Sequence, residues 1–246
     1  MSTDHQTRTA WAAAARKYED EYAAHLEAAR TAVLLPPELD ALADIVPGAD
    51  VVHPLSGHGL DDAALVRLGA RTVHGLDYSE AAVSSAQRRA NELGLPCRYT
   101  QSTLPNSGLP DACADLVYTG KGALIWLADL DAFLAETYRL LRPGGRLYVY
   151  EAHPLVPLWT WDADEPRIRP DRGYFAASHV NDTFPGRGAV EQQHTLADIV
   201  TAGLRSGFLL ENLAEHPEPF WRPGGVDAAA WDGRLPNSFS MLARRA

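Results

Sequence analysis

Residues 50–83, "DVVHPLSGHGLDDAALVRLGARTVHGLDYSEAAV", decide how this chain is read. A short apolar run, Val51-Val52, meets a turn holding Gly57 and Gly59. Apolar residues then recur at helical spacing until Gly69. A second strand-like run ends at Asp77, and Ser79 is placed to cap another helix. Strand, glycine turn, helix and strand open a nucleotide pocket, where ligands sit outside the carboxyl ends of parallel strands. Asp77 lies 20 residues after Gly57, where a carboxylate accepts hydrogen bonds from the hydroxyls of a ribose. The pyridine-dinucleotide fingerprint G-x-G-x-x-G fails, because Asp62 stands at the third glycine. A pyrophosphate there would also face Asp61, so a nicotinamide dehydrogenase is disfavoured.

The alternation continues on both sides. Upstream, residues 9–32 read as an alanine-rich helix, broken at Pro36-Pro37 and followed by a short helix that stops at Pro47-Gly48. Downstream, "SEAAVSSAQRRANELG" is a helix stopped by Gly94, "PCRYTQS" and "ADLVYTG" are strands, and "LADLDAFLAETYRLL" is an amphipathic helix. "RPGG" reads as a turn and "RLYVYEAH" as the fifth strand. Such alternation implies a mostly parallel, doubly wound α/β sheet. Residues 154–192 lose all period while keeping Trp159, Trp161, Tyr174 and Phe175, which predicts an ordered lid inserted after strand five. One helix and two strands close the chain. The expected organisation is a single domain: a helical cap over 1–47, a cofactor-binding core over 48–153, the lid over 154–192, and a C-terminal helix and strands over 193–246.

With 246 residues and 46% apolar content, the chain can bury one substantial core. Its formal net charge of −10, without a basic stripe interleaved with aromatics, speaks against nucleic acid or an anionic membrane as partner. No apolar run approaches the roughly 20 residues of a membrane helix, and no signal-peptide pattern opens the chain. Cys97 and Cys113 lack metal-ligand spacing, so two reduced thiols, a cytoplasmic setting and no metal site are expected. The abundance of alanine, arginine and aspartate fits a GC-rich bacterial genome.

Three stretches carry a family resemblance: the glycine turn with "LVRLGA" and "VHGLDYSEAAVSSAQ", then "DLVYTGKGALIWLADLDAF", then "LLRPGGRLYVYE". In this order and spacing they resemble the class I S-adenosylmethionine (SAM) dependent methyltransferases, over about residues 45–153. The resemblance implies a seven-stranded sheet with a reversed final hairpin, and SAM lying across the first four loops. It implies a cofactor set of His53, Leu55, Ser56, Gly57 and Gly59 in the first loop, and Asp77 and Tyr78 in the second. Ser102 and Thr103 follow in the third, where the family presents an Asp to adenine, and Thr119 and Gly120 in the fourth.

The departures matter. The family's first loop is acidic-x-Gly-x-Gly-x-Gly, against His53, Leu55, Gly57 and Gly59 here, and Leu55 adds bulk where backbone approaches the amino-acid end of SAM. Loss of SAM therefore stays open. Lys121 stands where the family has an apolar or aromatic residue, and it suits an anionic group better than a sulfonium. On the substrate side, His153 is the candidate base, with Glu151 placed to pair with Lys121 or His153. Trp126, Trp159, Tyr174, His194 and Trp221 are expected around the acceptor, joined by Trp231. Capping of the next helix is the plainer role for His194, and His58 is expected to be exposed. The N-terminal helix, with Trp11, Tyr18 and Tyr22, is expected to close over the pocket. The implied function is methyl transfer to O, N or C of a small metabolite in bacterial specialised metabolism. The alternative is a methyltransferase-fold enzyme that performs a SAM-independent cyclisation, elimination or rearrangement, with Lys121 holding an anionic group; less favoured is a non-catalytic partner subunit. A homodimer is also open.

Overall fold

The structure, a computed structural model, describes residues 7, 9–11, 20–160, 167–182, 186–220 and 233–246. Strands β1 (Asp50–Pro54), β2 (Thr72–Asp77), β3 (Cys97–Gln101), β4 (Ala114–Gly120), β5 (Leu141–Ala152), β8 (Phe208–His216) and β9 (Ser238–Arg245) form one sheet. Its order is β3-β2-β1-β4-β5-β9-β8. The first five strands are parallel, and β9 runs antiparallel to both β5 and β8. Strand order reverses beside β1, so the loops after β1, β2 and β4 converge at the carboxyl edge.

Helices α1 (Tyr22–Thr31), α2 (Pro36–Leu42), α3 (Leu60–Arg67), α4 (Glu80–Leu93), α5 (Leu130–Leu140) and α6 (Leu196–Arg205) cover the sheet. Their ends follow local chemistry. Ser79 accepts the Ala82 N–H and Gly94 closes α4 in the left-handed region; Asp129 caps α5. Thr195 and Asp198 form a reciprocal capping box on α6, so the cap there is Thr195 and not His194. One sheet face packs Val52, Val117, Leu147 and Val149 against α5 and α6. The other packs Val51, Leu116, Tyr118 and Tyr148 against α2 and α3. Each fully buried large apolar side chain contributes roughly 2 kcal/mol.

Two local expectations change. "RPGG" lies inside β5, because Leu141 already pairs with Ala114, and the ladder absorbs the offset as a register shift between Ala114 and Leu116. The aperiodic lid holds a 3-10 turn (Val156–Leu158) and a small antiparallel hairpin, β6 (Ser178–Val180) with β7 (Val190–Gln192). Thr7 exchanges hydrogen bonds with the Val190 backbone, and the Trp11 ring meets Trp126 edge-on at 5.3 Å. Thr7 and Trp11 thus pack on the lid and the fourth loop, whereas Tyr22 of α1 lies on α4, donating to Glu92 beneath Arg88. Tyr18, Trp161, Trp221 and Trp231 lie outside the described residues. No helix among the described residues is long and apolar enough to cross a membrane.

Candidate active site

The first loop is held from below by buried polar groups. His53, at the end of β1, places Nδ1 2.6 Å from Asp62 Oδ1, and both side chains are buried. Burial pushes the His53 imidazole down, but the Asp62 charge and hydrogen bond outweigh it, and the net direction is up. Tyr99 on β3 lies against the same carboxylate. A side chain at Gly59 or Gly75 would collide with the Tyr99 ring. Gly59 is therefore required by this packing and by its left-handed φ of 71° as α3 begins. Leu55 also takes a left-handed φ of 56°, and its side chain packs against the core cluster that includes Val52 and Leu76. The bulk expected to obstruct the loop is thereby directed into the core.

Asp77 joins the first two loops. Its Oδ2 accepts the Gly57 N–H at 3.0 Å and its Oδ1 accepts the Ser79 N–H at 2.8 Å. Each carboxylate oxygen keeps further acceptor capacity. Burial raises the Asp77 pKa against these two hydrogen bonds. The Ser102 N–H reaches the Asp77 carbonyl, while its hydroxyl donates to the Asn106 carbonyl; Thr103 is exposed. Tyr78 is half-buried and its carbonyl accepts from Gln101. Thr119 is fully buried and donates to the Pro54 carbonyl, tying β4 to the first loop. A side chain at Gly120 would strike the backbone of Tyr150. These last two positions thus serve strand packing.

The fourth loop corrects two expectations. Lys121, left-handed at φ 57°, points Nζ to Asp61 Oδ1 at 2.5 Å and Glu38 Oε2 at 3.0 Å. Burial disfavours its charge, but the two carboxylates prevail and raise its pKa. Glu38, fully buried on α2, also accepts from the Tyr118 hydroxyl and the Leu35 N–H. Lys121 is therefore already neutralised and has no unmet charge for an anionic substrate. Glu151 pairs with neither Lys121 nor His153. Its buried carboxylate accepts the N–H groups of Gly122, Ala123 and Leu124 at 2.7–2.8 Å, fixing the turn after β4.

These loops now have relatives to set beside them. Residues 54–149 match the family described as "Methyltransferase domain". Over 118 residues the chain is 31% identical to phthiotriol/phenolphthiotriol dimycocerosates methyltransferase 1 of Mycobacterium ulcerans, covering 48% of this chain and 42% of that one. Over 125 residues it is 31% identical to the fatty-acid O-methyltransferase of Mycolicibacterium smegmatis, covering 49% and 44%. The matches thus span less than half the length of these curated relatives. The crystal structure of an S-adenosylmethionine dependent methyltransferase from Mesorhizobium loti superposes with a TM-score of 0.71 at 25% identity, covering 85% of this chain and 96% of that one.

Residues 54–149 carry a methyltransferase domain, and the chain is similar to SAM-dependent methyltransferases over most of its length.

The methyltransferase loops fit this cofactor on their own geometry. Among the described residues Ser56 Oγ, beside Gly57, is buried without a hydrogen-bond partner. At Gly57 and Gly122, both left-handed, none of the described residues beyond the chain neighbours lies within 4 Å of where a Cβ would stand. Asp77 adds carboxylate acceptors beside them, joined to the Gly57 N–H.

Beyond the fourth loop, a narrow cleft lies between Leu124, the Glu151–Pro154 segment, Gln192–His194 of the lid and Phe239. It brings together the predicted Glu151, His153 and His194. It does not include Trp126, Trp159 or Tyr174; among the described residues Phe239 is its only benzenoid wall. Trp126 meets Trp11 edge-on, Trp159 bridges to Ile168, and the Tyr174 hydroxyl accepts the Leu196 N–H. His153 is fully engaged: Nε2 meets Glu215 at 2.8 Å and Nδ1 accepts the Leu155 N–H at 3.2 Å. With its lone pair used and burial lowering its pKa, it is not poised as a base. His58 is half-buried, not exposed, and stacks on His25 at 4.5 Å. Glu38 and Tyr99 escaped sequence reading. Asp62 carried a signal, a carboxylate nine residues after His53.

Proposed function

We propose that this protein transfers a methyl group from SAM to a small-molecule acceptor seated in the cleft between the fourth loop, the end of β5 and the lid. The supporting observation is the Asp77-centred cradle, in which a ribose-facing carboxylate, the orphaned Ser56 hydroxyl and the open Gly57 position meet at one edge of the sheet. Asp77 would hold the ribose, the first loop the amino-acid end, and Ser102 or Thr103 the adenine. When bound, SAM supplies a methyl group already activated on a sulfonium, so positioning and water exclusion are the protein's main tasks. The relatives named for a fatty acid and for phthiotriol dimycocerosates favour small metabolites of bacterial metabolism as acceptors. The SAM-independent alternative rested on a cationic Lys121, and its pairing with Asp61 and Glu38 removes that support.

The test is incubation with methyl-labelled SAM and a panel of hydroxylated and anionic small molecules. The expected result is label in the methyl ether of a hydroxylated acceptor, with a matching amount of S-adenosylhomocysteine (SAH). Conversion of an acceptor without SAM consumption would overturn the reading.

A further inference from the structure

We infer that His194 is the general base of the acceptor cleft, and that the acceptor is an uncharged phenol or enol on an apolar body. This rests on the methyl-transfer reading above. His194 lines the cleft, and its Nε2 lies 2.8 Å from the Leu127 carbonyl oxygen. A carbonyl can only accept, so Nε2 carries the hydrogen and the lone pair of the neutral ring sits on Nδ1. Among the described residues the Leu127 carbonyl is the one hydrogen-bond partner of the ring, and Nδ1 has none. The Leu127 carbonyl thus fixes tautomer and ring orientation, as a carboxylate does in many catalytic dyads.

The contrast with its neighbours selects His194. His153 spends Nε2 on Glu215 and Nδ1 on the Leu155 N–H. Glu151 is saturated by three backbone donors, and Gln193 donates to the Pro154 carbonyl. Asp198, the nearest carboxylate on α6 that acts on His194, is itself held in the Thr195 capping box. Leu124, Ile125, Pro157, Ile199 and Phe239 supply the rest of the wall. No free charge therefore awaits an ionic acceptor, and an acceptor carboxylate would lose hydration without compensation.

In the reaction, the acceptor oxygen forms its bond to the methyl carbon with a lone pair, and the electron pair of the broken carbon–sulfur bond stays on sulfur. His194 Nδ1 takes the hydroxyl proton, becomes imidazolium, and returns that proton to solvent. Imidazole matches a phenol or enol, whose acidity lies near that of tyrosine at ~10, better than an aliphatic alcohol. The fully clear space in the cleft is only about 30 Å³, room for one or two waters. An aromatic acceptor therefore needs the cleft to widen while the Nε2–Leu127 bond is kept.

The experiment uses the full chain labelled with 15N-histidine and saturated with SAH. His194 is identified among the nine histidines by the signal lost in His194→Gln, which keeps an N–H donor for the Leu127 carbonyl. The Nε2–H tautomer is expected before any acceptor is added. Added 2-naphthol should shift the His194 Nδ1 resonance and leave His153 unmoved. It should also bind about tenfold more tightly than 2-naphthoate, as the cost of desolvating a carboxylate predicts. His194→Gln should keep SAH affinity while weakening 2-naphthol about fivefold, the loss of one ordinary hydrogen bond. An Nδ1–H tautomer, a His194 signal unmoved by 2-naphthol, absent 2-naphthol binding, or preference for 2-naphthoate would each overturn the inference. Failure of SAH to bind would instead count against methyl transfer, and the tautomer is read without it.

Discussion

Asp50 and Glu151 are both carboxylates at strand ends, and they hold the chain in opposite ways. Asp50 stands at the amino end of β1 and accepts from the Arg71 guanidinium, the Thr72 hydroxyl and Arg142, whose side chains are largely open to water. Arg71 lowers its pKa well below the usual carboxylate range. Glu151, at the carboxyl end of β5, is only 2% exposed and spends its charge on three backbone N–H groups. The amino edge therefore uses part-hydrated pairs, whose loss is expected to cost little. The carboxyl edge uses buried acids, Asp62, Glu38 and Glu151, to fix loops that must receive ligands. Polar precision is concentrated where chemistry is to occur, which is the pattern expected of a preorganised site.

That contrast can be broken most sharply at Glu151. Replacement by Ala strands three buried donors and should cost about 3 kcal/mol, read as a fall of roughly 6–12 °C in thermal melting. A loss below 1 kcal/mol would mean that water replaces the carboxylate and the edge is not preorganised. A smaller effect is expected at His58, whose pKa burial lowers to about 4. The unfolded chain takes up this proton near the ordinary 6.5, so stability is full above 6.5 and falls as pH drops toward 4, by about 2 kcal/mol at pH 5. His58→Gln should flatten that part of the pH–stability curve; an unchanged slope would assign the acid sensitivity elsewhere. The smallest effect belongs to Asp50→Asn, expected to cost about 1 kcal/mol or less and to shrink further in high salt. A cost matching that of Glu151→Ala would erase the distinction between the two edges.

The fold was legible because it is written in local period: each core strand and helix has its own run of apolar residues and its own cap, from Ser79 and Gly94 to Asp129. The first loop was legible from Gly57, Gly59 and Asp77 for the same reason. The roles of Lys121, Glu151, His153 and His194 were not, since each depends on a partner far along the chain. Asp61 is 60 positions from Lys121, Glu215 is 62 from His153, and the Leu127 carbonyl is 67 from His194. No spacing rule links such pairs, and a backbone carbonyl leaves no trace in residue identity. The lid hairpin escaped because three-residue strands are too short to show a period.

If Asp77 organises the carboxyl edge as a SAM site, removing its carboxylate must cost cofactor affinity. Calorimetric titration of the full chain with SAH, beside Asp77→Ala shown to be folded by circular dichroism, tests it directly. Micromolar binding to the wild type is expected, with a loss of about tenfold or more in the variant, where acceptors for the ribose and the Gly57 N–H are both removed. Equal affinity in the two proteins, or no binding of SAH or SAM to the folded wild type, would contradict it.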